Sequence, residues 1–497
     1  MSDTRTAIPS DSDELEQRAA DALETGEEEQ VLPPLMAAAG RSTDARLWQW
    51  AGLLQRAIDD HQAAMWSFHM AATFAPDDIG IAHGLAQVTL EAGLDARALF
   101  ERALSLGPPR SDLLLGRTAA RMAMGEGEAA ASELEAILAQ SPFWLEGHAQ
   151  LAQLQSLIGH REQAYASIER ALTHHPAEAS LWYTLLDLNL KAGDYEVLAA
   201  NAVRAAEAGV SDGIASYSAI AASELGQSVR ADELFGSLTP DVAEELSIWR
   251  IRHLIRTGRA DAASPLVDRY LAGPGAAAAW PYASTVWKLT GDPRSDWLEA
   301  GGHLVATFDL GDALGDIDQL AELLRTLHVA KSMYLDQSVR GGTQTDGPLL
   351  SRVDPEIRQL RGAITDAVQR YIAELPPSDP GHPLLGQRRD RRIRFAGSWS
   401  VRLNGSGYHE SHVHPQGWIS SALYIALPDR DETDDPHAGW LSIGEPPQDL
   451  GTGLTPTRLI EPRRATLVLF PSWMWHGTRP FALGERLTVA FDVRPPL

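Results

Sequence analysis

"GYHESHVHPQGWISSALYIALP", residues 407–428, places His409, His412 and His414 within six positions of a 497-residue chain that has sixteen histidines. It runs into "WISSALYIALP", a segment rich in β-branched and aromatic residues and ended by Pro428, which predicts a strand. In extended backbone, residues two apart project to the same side. His412 and His414 can therefore turn their rings toward a common ion.

A third ligand must come from elsewhere. "LVLFPSWMWHGTRPFALGERLTVAFD", residues 467–492, offers His476 at the end of one strand, with Arg486 and Thr488 ten and twelve residues later on the next. Arg486 and Thr488 share one side of their strand by the same period of two. A guanidinium there can hold a carboxylate through two parallel hydrogen bonds, and the threonine hydroxyl supplies another. His409 and Glu410 compete for the metal. Glu410 would restore a carboxylate, but side-chain direction favours His414. Three neutral imidazoles suit zinc as well as ferrous iron, and Arg486 with Thr488 discriminates, because a simple zinc hydrolase has no need of a carboxylate clamp.

Outward from this site the period of two continues. "SWSVRL", "RATLVLFP" and "RLTVAFDV" read as short strands, entered through helices such as "PEIRQLRGAITDAVQRYIAEL". Towards the amino end the pattern changes to a repeat. With Ala45 as position 1, Trp48 falls at 4, Gly52 at 8, Ala64 at 20, Phe68 at 24, Ala71 at 27 and Pro76 at 32; Pro76, Pro108, Pro142 and Pro176 keep the frame at spacings of 32, 34 and 34. Ala152, Ala164, Ile168 and Ala171 repeat it in the fourth unit, and Trp182 and Ala205 carry it into a fifth. The segment resembles a tetratricopeptide (TPR) array over about residues 44–212. Looser helical pairs follow to about 295.

The carboxyl-terminal residues have a counterpart too. Two ligands two apart, a distant His, then Arg-x-Ser/Thr about ten residues on is the order of parts in the iron(II)- and 2-oxoglutarate-dependent oxygenases. "HESHVHPQGWISSALYIALP", "GSWSVRL", "LVLFPSWMWHGT" and "ERLTVAFDV" resemble the bacterial members that carry amino-terminal TPR arrays, and "DQSVRGGTQT" (336–345) is similar to a stretch of that group. The resemblance implies an α+β multidomain chain, an all-α TPR-like solenoid followed by a double-stranded β-helix (jelly roll). It implies that His412 and His476 bind Fe(II) and that Arg486, helped by Thr488, holds the distal carboxylate of 2-oxoglutarate. Known members place Asp or Glu where this chain has His414, which could bind iron, bind the co-substrate or support a ligand from behind.

The expected organisation is an acidic flexible leader or partial cap (1–43), a helical array (44–295) and the oxygenase-like domain with supporting helices (296–497). The expected activity is hydroxylation, with molecular oxygen, of a side chain on a peptide or protein held by the array; halogenation and desaturation stay open. The alternatives are a non-catalytic TPR adaptor with a degenerate β-domain, an oxygenase acting on small molecules, and a cupin-like metal enzyme that does not use 2-oxoglutarate. Zero cysteines exclude disulfides, thiolate metal sites and thiol catalysis, and 67 acidic against 42 basic residues argue against a nucleic-acid partner. No apolar run has the length of a membrane span, and the amino end lacks a secretory pattern, so a cytoplasmic location is expected. Trp418, Trp473 and Trp475 are candidate cleft walls or packing. Gln337, Arg340 and Gln344 are candidate contacts from a mobile or plain loop. The five arginines of "GQRRDRRIRF" read as a solvated strand edge. His303, His328 and His437 read as ordinary structural histidines.

Overall fold

The computed structural model describes residues 12–335, 338–428 and 435–496, the side chain of Ala243 aside. The first half is built of antiparallel helix pairs: Ala45–Ala57 with His61–Phe74, Ile79–Glu91 with Arg97–Ser105, Ser111–Ala123 with Gly127–Gln140, Leu145–Leu157 with Ala166–His174, and Ala179–Ala192 with Tyr195–Glu207. Small residues set the closeness of these pairs. The buried ring of Phe68 lies against Gly52 and Gly84, where an added Cβ would come within 2.7 and 2.2 Å of it, and Phe100 meets Gly116 in the same way. Pairing continues through Ile214–Glu224 with Ser228–Ser237 and Ser247–Arg256 with Ala260–Leu271. None of the helices described is long and apolar enough to cross a membrane.

Nine antiparallel strands follow among the described residues: β1 Ala306–Asp309, β2 Val339–Gln344, β3 Phe395–His412, β4 Ile419–Ala426, β5 Leu441–Ile443, β6 Arg458–Ile460, β7 Thr466–Pro471, β8 His476–Thr478 and β9 Arg486–Val493. They pair in the order β1-β7-β4-β9-β3-β8-β5-β6, with β2 on β3, giving the jelly-roll sheet expected of the carboxyl-terminal half. Across residues 295–296 packing is continuous. Ile251, Val286 and Trp287 of the last array helices lie in one hydrophobic core with Leu423, Phe470 and Phe491 of the sheet.

The amino-terminal residues from 12 onward form helices, Ser12–Thr25 and Glu28–Ala39, with Leu15, Val31 and Leu35 buried against Leu47 and Trp48. Their acidic run meets the arginine-rich segment. Arg394 pairs with Glu28 at 2.6 Å and with Glu29 at 3.1 Å, and Arg391 and Arg392 face Glu27 and Glu29. Of the arginines read as a solvated edge, Arg391, Arg392 and Arg394 thus form an interdomain clasp and Arg389 donates to the Leu375 and Pro376 carbonyls, while Arg388, paired with Asp390, and Arg392 keep exposed side chains. The helix-joining turns of successive repeats also touch the carboxyl-terminal half. The Val353 amide donates to the Ala92 carbonyl at 3.1 Å, the Lys331 amide to that of Leu157 at 2.8 Å, and Arg252 and Arg256 both reach Asp449 at 2.8 Å. The array therefore curls around its own β-domain, fastened at both ends.

Glu28 is nearly enclosed, so removing its arginine leaves a carboxylate with little water to replace it. Arg394→Ala is expected to cost about 3 kcal/mol and to raise hydrogen exchange over residues 12–39, with the sheet's exchange unchanged. Urea unfolding with peptide-resolved exchange checks this.

Candidate metal centre

Strand β3 carries an extra residue. His409 pairs with Thr478 and His412 with His476, three steps on one strand against two on the other. The bulge turns both His409 and His412 to the face that bears His476 and sends Glu410 the other way, where it is exposed and ion-paired to Arg340 at 2.8 Å. Past the end of β3, the His414 amide donates to the Ser472 carbonyl at 3.0 Å, which folds this residue back over the same face.

His412, His414 and His476 each offer one ligand atom, and these atoms lie within 4.8 Å of one another. Each ring is anchored through Nδ1: His412 to the Glu410 carbonyl at 2.8 Å, His476 to the Met474 carbonyl at 3.0 Å, and His414 to the Asp492 carboxylate at 2.6 and 2.8 Å. These oxygens only accept, so Nδ1 carries the proton and the lone pair is left on Nε2, the nitrogen a metal takes. Burial pushes His412 down to about 3 and His476 well below its ordinary range, the neighbouring imidazoles adding to the effect. Both rings are therefore neutral at physiological pH. A protonated pair 4.3 Å apart between centroids would repel; a neutral pair can share a cation.

Arg486 is 2% exposed, the largest buried charge of this domain. Its guanidinium stands 5.1 Å over the ring of Tyr424, burial lowers its affinity for its proton, and no carboxylate pairs with it among the described residues. Its Nε and His409 Nε2 are buried and lack hydrogen-bond partners, and the buried Tyr424 hydroxyl has the Arg486 guanidinium beside it. Burying such groups costs several kcal/mol unless something satisfies them, so the cluster has the chemistry of a seat for an acidic ligand. Thr488 is buried on the same strand, in register with both Val401 and Tyr424.

The remaining candidates separate. Trp418 and Trp475 are packing residues, donating to the Leu384 carbonyl at 3.0 Å and to the Pro281 carbonyl at 3.1 Å, while Trp473 is buried with its indole nitrogen unpartnered. Arg340 and Gln344 lie on β2, paired to β3, so the stretch expected as a loop is a strand there; Gln337 falls outside the described residues. His328 is held by Thr343 and Ser400, as a structural histidine, whereas His303 is exposed. Sequence reasoning missed Asp492 and Tyr424. Asp492 reads as the polar end of an alternating strand, and nothing in its neighbours signals that it faces a histidine 78 residues away.

Residues 397–492 match the family model described as "Putative 2OG-Fe(II) oxygenase". No curated protein matches the chain. Among solved structures, a tetratricopeptide repeat protein from Parabacteroides merdae is 18% identical with a TM-score of 0.29, over 48% of this chain and 97% of its own. A prolyl-4-hydroxylase from Pseudomonas putida is 17% identical with a TM-score of 0.25, over 40% and 95%. HygX from Streptomyces hygroscopicus, determined with nickel and 2-oxoglutarate bound, is 12% identical with a TM-score of 0.28, over 39% and 83%. The three imidazoles and Arg486 all lie inside residues 397–492, the part of the carboxyl-terminal domain that matches the putative 2OG-Fe(II) oxygenase model, behind an amino-terminal TPR-like helical array.

Proposed function

We propose that the protein is an iron(II)- and 2-oxoglutarate-dependent oxygenase that hydroxylates a side chain of a polypeptide seated against the array. The observation that carries this reading is the pairing of two unsatisfied sets: three imidazoles with Nε2 free, and a buried guanidinium with no acid. His412, His414 and His476 would hold the iron, and Arg486 with Thr488 would hold the far carboxylate of 2-oxoglutarate. The Tyr424 hydroxyl, buried beside Arg486, would donate to that same carboxylate. When bound, the iron and 2-oxoglutarate supply oxygen activation coupled to oxidative decarboxylation.

The chain's own part is to orient and to keep water out. The carbonyls of Glu410 and Met474 and the Asp492 carboxylate fix the three rings through Nδ1, so that Nε2 is the nitrogen each would present to the ion. Phe470 closes on His476 at 4.8 Å between centroids, walling the buried side. A cavity of about 760 Å³ lies between the array, at Gly193, Tyr195 and Arg252, and residues of β3, β5 and β8, including Ser411 and Gly477, which neighbour His412 and His476. It offers an extended polypeptide an anchoring place walled by both halves of the chain.

Protein reconstituted without oxygen with Fe(II), then given oxygen, 2-oxoglutarate and a peptide extract, is expected to form succinate and peptides heavier by about 16 Da, one oxygen atom. Succinate formed only with free metabolites would reject the polypeptide substrate. No succinate under any condition, from protein that binds Fe(II), would reject the oxygenase reading.

A further inference from the structure

Three neutral imidazoles bring no negative charge to a dication, and two of them are backed only by backbone carbonyls. His414 differs. Its Nδ1 lies 2.6 and 2.8 Å from the two oxygens of Asp492, a side chain of a residue only 8% exposed. No arginine or lysine pairs with that carboxylate among the described residues; the ring it meets is that of His414. It is held in place from its other side. Ser420, its ladder partner on β4, donates to Asp492 at 2.6 Å and stands 2.9 Å from the Ser472 hydroxyl. A Cβ at Gly417 would strike Ser472 Oγ at 2.5 Å and approach Asp492 Cβ at 3.3 Å, so a glycine at this turn leaves room for the serine–aspartate group.

We infer that Asp492 is the charge partner of the metal centre, supplying through His414 the negative charge that the three-imidazole set lacks. This rests on the metal-binding reading above. A carboxylate that accepts the Nδ1 proton makes the opposite nitrogen a stronger donor and fixes the ring's orientation, effects that change metal affinity about 10- to 100-fold in comparable sites. Asp492 touches no reacting atom in this scheme. It is a positioning residue, and its influence must pass through His414.

The test uses the full chain stripped of metal and titrated anaerobically with Co(II), with affinity and the visible Co(II) spectrum as readouts. Asp492→Asn keeps an acceptor for His414 Nδ1, and the Ser420 hydroxyl can turn to Ser472, so the charge is removed with the hydrogen bonds satisfied. The expected result is a dissociation constant raised about 10- to 100-fold, a shifted Co(II) spectrum, and metal-free thermal unfolding close to that of the parent. In a His414→Gln background the same substitution is expected to have no further effect, since its route to the metal is gone. Should Asp492→Asn fail to fold, Asp492→Ser removes the same charge beside Ser420 and is read in the same way. Parent-like Co(II) affinity and spectrum in Asp492→Asn, or an equal loss in both backgrounds, would overturn the inference while leaving the metal site intact. A parent protein that takes up no Co(II) or Fe(II) would overturn the metal reading itself, and this inference with it.

Discussion

His476→Ala is expected to abolish uptake of Fe(II) or Co(II) at concentrations that saturate the parent, and with it all succinate formation. His476 is the member of the cluster that no neighbour can replace. It is buried on the three-residue strand β8, paired on one side with His412 and on the other with Ile443, and its Nδ1 is fixed by the Met474 carbonyl. The remaining His412 and His414 offer two ligand atoms where the cluster has three. Truncation also removes packing against Phe470 and strands a buried carbonyl, so some loss of stability, about 1–3 kcal/mol, accompanies the effect. His476→Gln separates the two causes, because its amide can occupy the space of the ring. Metal affinity is expected to be lost in both variants and unfolding temperature to fall mainly in the alanine variant. Calorimetric titration alongside thermal melts reads both.

Arg486→Met is expected to raise the 2-oxoglutarate requirement by about 100-fold, the loss of roughly 3 kcal/mol of charge-assisted hydrogen bonding, while leaving Co(II) affinity near that of the parent. The same substitution is expected to stabilise the ligand-free protein. The guanidinium is almost wholly enclosed, its Nε has no partner, and only the Tyr424 ring and hydroxyl stand against it. A buried charge without its counter-ion is a cost that a well-fitting apolar side chain removes, by about 1–4 kcal/mol where buried ionic groups have been replaced. Opposite signs for ligand-free stability and co-substrate affinity are what a binding residue shows and a structural one does not. Urea unfolding without ligand and the dependence of succinate formation on 2-oxoglutarate check the two signs. A less stable Arg486→Met protein with unchanged 2-oxoglutarate dependence would give Arg486 a structural role.

Several neighbourhoods were legible because local backbone geometry dictates them. Recurrence at 3.6 residues, small residues opposite Phe68 and Phe100, and prolines at a steady interval specify paired helices without reference to distant chain. The period of two around residues 398–403, 419–426 and 486–493 specifies strands, and the parity of Arg486 and Thr488 follows from it. Against this, the choice between Glu410 and His414 turned on one added residue in β3, whose bulge reverses the parity between His409 and His412. Parity arguments hold only while a ladder is regular, and a bulge announces itself through its partner strand.

The sequence by itself determined that helices come first and strands second, and it singled out His412, His414, His476 and Arg486 as candidates, because those features depend on repeat length and spacing along one chain. Tertiary structure alone decided that Asp492 backs His414, that Tyr424 shares the enclosure of Arg486, and that the acidic amino-terminal helices grip Arg394. Those contacts join residues tens to hundreds of positions apart. Their existence is fixed by strand register and by the curl of the array, which sum over the whole fold and leave no mark in the composition of either partner's neighbourhood.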